Sequence, residues 1–312
     1  MAITTNEVVL VIAEEERIDN QFSTIMDSAF KARFTSEALE DNMEKTLSAE
    51  ILDTREESDL LIVSRSAGGS ISAELSWGTY DKFLEAFLCS GFVSSEEDPN
   101  TLVLVNGSEK KSFTIEKQIA NKFRQFYGMC PSSISFDVST GSIITMTINF
   151  MGTMVTQTDA SIFADVTVLD ATTTSPMTSS SNVGNVEGLT FLQSLNFEIN
   201  NNLRERRALG SPYAFDIGLG TFSATGSGTM YFTDASMYDV YRNNEDFGFS
   251  ITFTQDENNY YVIEFNRVKL ETYSDPASAK NEDVMLDISF QSLKNQDPTK
   301  LGSVVIRKVT SA

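Results

Sequence analysis

Two segments far apart in the chain share a strict alternation of apolar and polar residues. Residues 144–150 read Ile-Thr-Met-Thr-Ile-Asn-Phe, and residues 284–290 read Val-Met-Leu-Asp-Ile-Ser-Phe. Successive side chains of a β-strand point to opposite faces, so a period of two gives a strand one apolar and one polar face. Both segments are therefore predicted to be half-buried antiparallel strands, and the chain is predicted to be mainly β.

The similarity between the two halves extends beyond these strands. Further upstream, residues 69–77 and 226–232 each predict another strand. Residues 112–126 and 250–265 each predict a hairpin with a polar tip. Any two β-rich segments share some of this pattern, but the common order and spacing favour an internal duplication.

One short helix is predicted in each half, directly after the upstream strand. Residues 79–88 and 234–241 carry apolar residues at helical spacing, and Asp234 is a favourable N-cap. Each segment also contains a Tyr-Asp pair, beginning at Tyr80 and Tyr238, which we expect to open the helix. The two pairs are a second signal of duplication.

The repeated order of strand, helix, hairpin, strand and strand predicts two tandem domains, residues 1–155 and residues 156–312. The apolar run at residues 162–169 is predicted to be the first strand of the second domain. Residues 39–58 are rich in Glu, Asp, Lys and Ser and are predicted to be a long polar loop of the first domain. Long loops in compact domains are usually functional or disordered.

The chain contains no histidine, which removes the most common general base and transition-metal ligand. A Ser-His-Asp or Cys-His site is impossible, and the glycine-rich pieces match no nucleotide-binding fingerprint. Cys89 and Cys130 are too few for a disulfide scaffold and are expected to be buried thiols. We therefore predict a protein that is not an enzyme and that holds no cofactor or metal.

The chain is strongly acidic, with 23 Lys and Arg against 44 Asp and Glu and a formal net charge of −21. Such a charge opposes binding along a nucleic-acid backbone, although it allows DNA to pass without adhering. The densest basic cluster contains Arg204, Arg206 and Arg207. We interpret it as an ion-paired turn between domains or subunits, a reading favoured over a nucleic-acid site.

The N-terminal sequence lacks a basic region, and no apolar run reaches the length of a signal-peptide core or a membrane span. We therefore expect a cytoplasmic product with no membrane partner.

Several motifs, in order along the chain, resemble the tail tube (major tail) proteins of siphophages, the phages with long non-contractile tails. The motifs lie at residues 34–39, 69–81, 111–116, 194–210 and 218–220. No one of them is diagnostic, but the ordered set is fairly specific and covers roughly residues 5 to 295.

The resemblance implies tandem β-sandwich or barrel-like domains, each with one short flanking helix. Adjacent domains of such proteins join their sheets into an inner barrel, and the rings stack into a tube through which the genome passes. Most members have one domain and form hexameric rings, so two tandem domains imply a trimeric, pseudo-hexameric ring. The implied partners are further copies of the chain and the tape-measure, tail-tip and tail-terminator proteins. The implied location is the virion tail, assembled in the host cytoplasm.

The same resemblance suggests which residues meet DNA and which join rings. Polar strand faces are candidates for the tube lumen, although they can equally face the outer solvent. The lumen candidates are Ser72, Glu74, Thr145, Thr147, Asp287 and Ser289. The ring-stacking candidates, all in the predicted loop, are Glu40, Asp41, Glu44, Lys45, Glu50, Asp53 and Arg55.

Two other structural classes stay open. A phage adhesin or receptor-binding β-sandwich predicts an exposed aromatic patch and an oligomer that does not polymerise. A decoration protein predicts attachment to a capsid shell in place of self-stacking.

Overall fold

The described part of the chain is mainly antiparallel β-structure with two short helices, which confirms the predicted fold class. The computed structural model describes residues 4, 7–18, 21–95, 98–187, 189, 191–277, 280–296 and 301–310. Helix α1 spans Asp81–Phe87, and helix α2 spans Ser236–Asn243. A 3-10 turn lies at Met26–Ser28.

The strands fall into a first half, up to residue 158, and a second half, from residue 183. The strands of the first half are β1 Val8–Ile18, β2 Gln21–Thr24, β3 Phe30–Lys31, β4 Ser36–Glu37, β5 Glu40–Leu47, β6 Leu60–Glu74, β7 Val93–Ser94, β8 Thr101–Val105, β9 Ser112–Ile119, β10 Lys122–Ser139, β11 Thr145–Gly152 and β12 Met154–Thr158. The strands of the second half are β13 Val183–Glu187, β14 Leu192–Asn200, β15 Arg204–Arg207, β16 Ala214–Gly218, β17 Ser223–Tyr231, β18 Phe247–Thr254, β19 Asn259–Ser274, β20 Met285–Ser292 and β21 Val304–Thr310.

Strands β10 and β19 are long because each belongs to two sheets. The N-terminal part of β10 pairs with β9 and β12, and its C-terminal part pairs with β11 and β14. Strand β19 likewise pairs first with β18 and β21 and then with β20. Each contains an unpaired extra residue shortly after the change of partner, Ser132 in β10 and Glu271 in β19, and a register shift at the change itself, between Phe126 and Met129 and between Phe265 and Val268. Such bulges bend a strand, which lets it pass from one sheet to the next.

The C-terminal parts of β10 and β19 share one sheet, the long sheet, that runs through both halves. At one end of this sheet, β4 and β5 both pair with β6. The strand order then continues from β6 through β11, β10, β14, β17, β20 and β19. The pairing of β10 with β14 joins the first half to the second.

Two side sheets cover the apolar face of the long sheet. The first contains β1, β9, β10 and β12, and the second contains β13, β18, β19, β21, β8 and β7. Because β21 pairs with β8, the last strand of the chain binds the first half.

A continuous apolar core fills the space between the sheets. In the second half, the rings of Phe249 and Phe290 lie 5.0 Å apart across this space. Gly226 lies opposite Phe290 in the neighbouring strand, and a Cβ there would approach the Phe290 ring to 2.4 Å. Gly69 holds the corresponding position opposite Phe150, so neither strand accepts a side chain at this point.

The two helices are present, but the Tyr-Asp pairs do not play equivalent parts. Tyr80 directly precedes α1, whereas Tyr238 lies inside α2. The prediction that each pair opens its helix is therefore wrong for α2. Asp234 accepts a hydrogen bond of 2.8 Å from the amide of Ser236, although the residue directly before α2 is Ala235.

Residues 39–58 are not a single loop, which corrects the prediction. Strand β5 pairs along its length with the N-terminal part of β6, and only residues 48–59 connect the two. All side chains of β5 are exposed, so this strand lacks the apolar alternation by which the others were recognised. We call residues 40–67 the first arm; residues 204–218, with β15 and β16, form a shorter second arm.

The prediction of a strand at residues 162–169 is also wrong, because this segment runs through turns and makes one bridge at Leu169. Phe163 anchors it in a small apolar cluster, and the amide of Ile162 donates a 3.0 Å hydrogen bond to the carboxylate of Glu116. Strand β12 pairs with β10, so the pairing of the first half continues past residue 155 to Thr158. The division into two domains stays a prediction.

Cys89 and Cys130 are buried, as predicted, and both are free thiols. Burial raises the pKa of the Cys130 thiol to about 12. Neither helix in the described part of the chain has the length and hydrophobicity needed to span a bilayer.

Candidate functional site

The polar face of the long sheet contains all six predicted lumen residues. They are Ser72, Glu74, Thr145, Thr147, Asp287 and Ser289, each one position from a residue that faces the core. The hydroxyl oxygens of Ser72 and Thr147 lie 3.0 Å apart across neighbouring strands. Asp287 accepts a 2.7 Å hydrogen bond from Thr229. The structure thus places the candidates from both halves on one continuous surface.

This polar face is acidic and contains no cation over most of its width. The strand segments that form it contain no Lys or Arg at residues 70–74, 133–139, 145–151, 192–200, 223–230 and 285–291. Four carboxylates belong to the same segments, those of Glu74, Asp137, Glu198 and Asp287. A surface of this composition repels the phosphate backbone of DNA, because phosphate binding requires Lys or Arg.

The middle of the polar face is concave. A hollow of about 530 Å³ lies over β10, β14, β17 and β20, and Ser135, Asp137, Asn196 and Glu198 line part of it. Small-molecule sites are predominantly apolar with a few polar groups, whereas this hollow is open and polar. We therefore treat it as part of an extended surface and not as a ligand pocket.

The long sheet ends in two open edges. At one end, residues 36–42 pair only with β6, and at the other end residues 269–274 pair only with β20, within the residues that the structure describes. An open edge presents unpaired N–H and C=O groups that can pair with another strand.

The two open edges correspond in register to the strands that meet inside the chain. Pro131 of β10 and Leu270 of β19 lie opposite Phe150 and Phe290, respectively, and the bulged residue follows each. When the two strands are matched residue by residue from these positions, the open edge of β19 corresponds to the edge of β10 that pairs with β14.

The other open edge corresponds to β14 itself. Residues 36–42 read Ser-Glu-Ala-Leu-Glu-Asp-Asn, and residues 194–200 of β14 read Ser-Leu-Asn-Phe-Glu-Ile-Asn. Glu40 and Glu198 lie opposite corresponding residues, Gly68 in β6 and Thr225 in β17. Neither edge was predicted from the sequence, although the shared spacing of Ser, Glu and Asn is a readable signal for the edge at residues 36–42.

The first arm contains the seven predicted stacking residues and an exposed apolar surface. Glu40, Asp41, Glu44 and Lys45 lie in β5, and Glu50, Asp53 and Arg55 lie between β5 and β6. Four successive apolar residues of β6, Leu60 to Val63, are about half exposed, and Ile51 is 97% exposed. Exposed apolar surface on this scale is typical of a protein–protein contact.

The basic cluster forms ion pairs and a contact between the two halves. Arg206 binds the buried carboxylate of Asp216 at 2.9 Å, and Lys110 of the first half binds the same carboxylate. Arg207 donates a 3.2 Å hydrogen bond to the backbone carbonyl of Arg65 in the first arm. Arg204 donates a hydrogen bond to the backbone carbonyl of Leu219, so it does not share the contacts of Arg206 and Arg207. A role of the cluster between subunits stays a prediction.

Titratable groups in the described residues form no group of three or more potential metal ligands. The carboxylate of Glu15 accepts hydrogen bonds from Ser112, Thr114 and the amide of Gly128 at 2.6, 2.8 and 2.9 Å. Burial raises the pKa of Glu15, and the hydrogen bonds partly offset that rise. These contacts are internal to the first side sheet and its neighbours, so we assign Glu15 a structural part.

Comparison with known families gives a match along nearly the whole chain. A family model described as phage tail tube protein matches residues 5–292. No curated protein matches the sequence.

Proposed function

Because this chain belongs to the phage tail tube protein family, we propose that three copies close into a ring and that the rings stack into the conduit for DNA ejection. The family assignment makes the protein a structural component of the virion tail. The number of copies, the closure of the ring and the passage of DNA are the proposed part. So are assembly in the host cytoplasm and contacts with tape-measure, tail-tip and terminator proteins.

The observation that carries the proposal is the correspondence between the internal junction and the two open edges. Inside the chain, Ser135 of β10 lies opposite Glu198 of β14. The corresponding residues are Ser274 at one open edge and Glu40 at the other. If the edge of one copy repeats the internal pairing, Ser274 will lie opposite Glu40 of the next copy. Every long-sheet edge is then satisfied, as in a closed barrel.

Three copies fit the duplicated architecture, because three chains then supply six units. Each chain contributes eight strand segments to the long sheet, so a closed ring has twenty-four. With strands about 4.8 Å apart and tilted by about 40°, such a barrel measures about 45–50 Å between opposite backbones. Barrels with fewer strands already enclose water-filled channels.

The charge of the polar face supports its assignment to the lumen. The face that lacks cations also contains the hollow of about 530 Å³, so a ring closed with this face inward encloses the carboxylates. A lumen lined by Glu74, Asp137, Glu198 and Asp287 would give DNA no cationic anchor during ejection.

Ring stacking is assigned to the first arm, whose exposed apolar strand needs a partner. Replacing residues 49–58 by a short turn should leave the folded subunit intact, since these residues are exposed and unpaired. Single rings or short stacks are expected in place of long tubes in electron micrographs. Tubes of normal length from this variant would contradict the stacking assignment.

Ring closure is tested by a disulfide across the proposed edge. The double variant Glu40→Cys with Ser274→Cys should form covalent links between copies on mild oxidation of the assembled protein. Opposite residues of paired strands have the Cα separation that a disulfide requires. The largest covalent species on a non-reducing gel should be a trimer, because a ring of three contains three such links.

A matched control uses the internal junction. Ser135→Cys with Glu198→Cys should bridge within one chain and give no ladder, whether or not the protein assembles. The buried thiols of Cys89 and Cys130 should not interfere. A covalent hexamer as the largest product would overturn the ring of three. An absence of links in assembled tubes would overturn the edge pairing.

A further inference from the structure

The two helices share one apolar pattern but differ in burial, since Met237 and Val240 of α2 pack only partly buried against the core. Phe83, Leu84, Ala86 and Phe87 of α1 are buried. Met237, Tyr238, Val240 and Tyr241 of α2 have the same spacing, yet no residue of α2 is buried. The rings of Tyr238 and Tyr241, 42% and 40% exposed, contact only Tyr273 of β19 among the ring contacts of the described residues.

Helix α1 owes part of its burial to contacts with the second half. Its first residue, Asp81, accepts a hydrogen bond from the Tyr261 hydroxyl and binds the Lys308 ammonium group, both at 2.5 Å. Near its other end, the carbonyl of Phe87 accepts a 2.8 Å hydrogen bond from Asn201, which follows β14. The helix therefore spans a groove between the end of β14 and the side sheet of β19 and β21.

The corresponding groove of the first half is open. In strand register, Lys122 of β10 corresponds to Tyr261 of β19, and Asp159, which follows β12, corresponds to Lys308 of β21. Each of these two pairs lies four residues from a matched pair of opposite residues in the same two strands. A cavity of about 590 Å³ lies between the open edge at residues 39–43 and the side-sheet residues Arg124 and 155–157. A second hollow of about 390 Å³, lined by residues 119–122 with Arg124 and Gln157, flanks it.

The open groove has cations at the position that an acidic residue contacts in the second half. Lys122 and Arg124 are exposed there, where the second half has the buried residues Tyr261 and Ile263. Lys122 binds the exposed carboxylate of Asp159, and Glu40 and Asp41 also line the cavity. At the N-terminal end of α2, Asp234 is fully exposed and its carboxylate faces solvent while it accepts from Ser236. Within the chain, the acidic residue Asp81 contacts Tyr261, the residue of the second half that corresponds to Lys122.

We infer that α2 of one copy docks into the first-half groove of the next copy, with Asp234 at Lys122. The inference rests on the proposed ring, since it places α2 beside the edge pairing of β19 with residues 36–42. It adds a surface that strand pairing alone does not require. Within the ring, Tyr238 and Tyr241 become buried as Leu84 and Phe87 are within the chain.

The test reverses one charge at a time and then both together. The measured quantity is the protein concentration at which tubes appear. Asp234→Lys and Lys122→Glu should each raise this concentration by about tenfold or more, and the double variant should recover most of the loss. Asp234→Asn keeps the hydrogen-bond acceptor for Ser236 and removes only the charge, so it should raise the concentration without changing the unfolding midpoint.

The control is Asp256→Lys, an exposed aspartate in the turn between β18 and β19 that also accepts hydrogen bonds from nearby residues. It should assemble like the unmodified protein. Tubes formed at the normal concentration by Asp234→Lys and Lys122→Glu would overturn the docking of α2 and leave the ring intact. Failure of the unmodified protein to form any ring would overturn the proposed function, and the docking with it.

Discussion

The two halves of the chain have corresponding strand pairings, but the first half is more completely covered than the second. Helix α1 packs on its own core and against the second half, while α2 covers only part of β19 and leaves Tyr238 and Tyr241 exposed. Helices of seven or eight residues are too short to be stable alone, so neighbouring surfaces decide their burial. One copy of the repeated helix contact is made within the chain, and we propose that the other is completed by the next copy in the ring.

The largest expected difference between the halves is in helix packing. Phe87→Ala should lower the free energy of unfolding by about 3–5 kcal/mol, because the ring is almost fully buried. Tyr241→Ala removes an exposed ring stacked 6.0 Å from Tyr273 and should cost about 1 kcal/mol or less. Urea unfolding of the unassembled subunit measures both. Equal losses would show that α2 is packed as tightly as α1 in the free subunit.

A smaller effect is expected where α1 binds the second half. Asp81→Asn removes the charge that binds Lys308 and accepts from Tyr261, at a site where both ionised side chains are only about one-fifth exposed. The cost should be about 1–3 kcal/mol. A double-mutant cycle with Lys308→Met isolates the pair. The matched change at the open groove, Lys122→Gln, should leave the unfolding midpoint of the free subunit unchanged, and a comparable loss there would contradict the comparison.

The smallest effect concerns pH, and it has opposite signs in the two halves. Burial raises the folded-state pKa of Glu15, so the stability linked to its protonation is fully present below about pH 4.5 and is lost as pH rises through the folded pKa. Asp246 occupies the position in the second half that matches Ser112, a partner of Glu15. Its hydrogen bond with Arg267 lowers its pKa, so its contribution is lost as pH falls below about 3.8.

Stability measured against pH separates these two groups. Glu15→Gln should flatten the decline above pH 4.5, and Asp246→Asn should leave that decline unchanged. An unchanged slope in Glu15→Gln would show that Glu15 ionises in the folded protein as easily as in the unfolded chain.

Strands with one buried face were predictable, and strands without one were not. The alternation at residues 144–150 and 284–290 predicts β11 and β20 because one face of each packs on the core. Strand β5 was missed since its partner β6 pairs with it far from the core, where no apolar face is needed. Residues 162–169 were predicted wrongly because their apolar side chains anchor turns, and turns leave no periodic signal.

The candidate site was only partly readable for a related reason. The polar face follows from alternation alone, so its six residues could be named from the sequence. The open edges and the groove depend on register, and register is set by bulges such as those at Ser132 and Glu271. A single bulge shifts the partner of every later residue, and the sequence does not mark where it occurs.

The proposed ring is tested most directly by a cryo-electron microscopy reconstruction of tubes formed by the unmodified protein. We expect rings with threefold symmetry, a continuous inner wall of twenty-four strands, and residues 269–274 of each copy paired with residues 36–42 of the next. A wall in which these edges do not meet, or a ring with another number of copies, would contradict it.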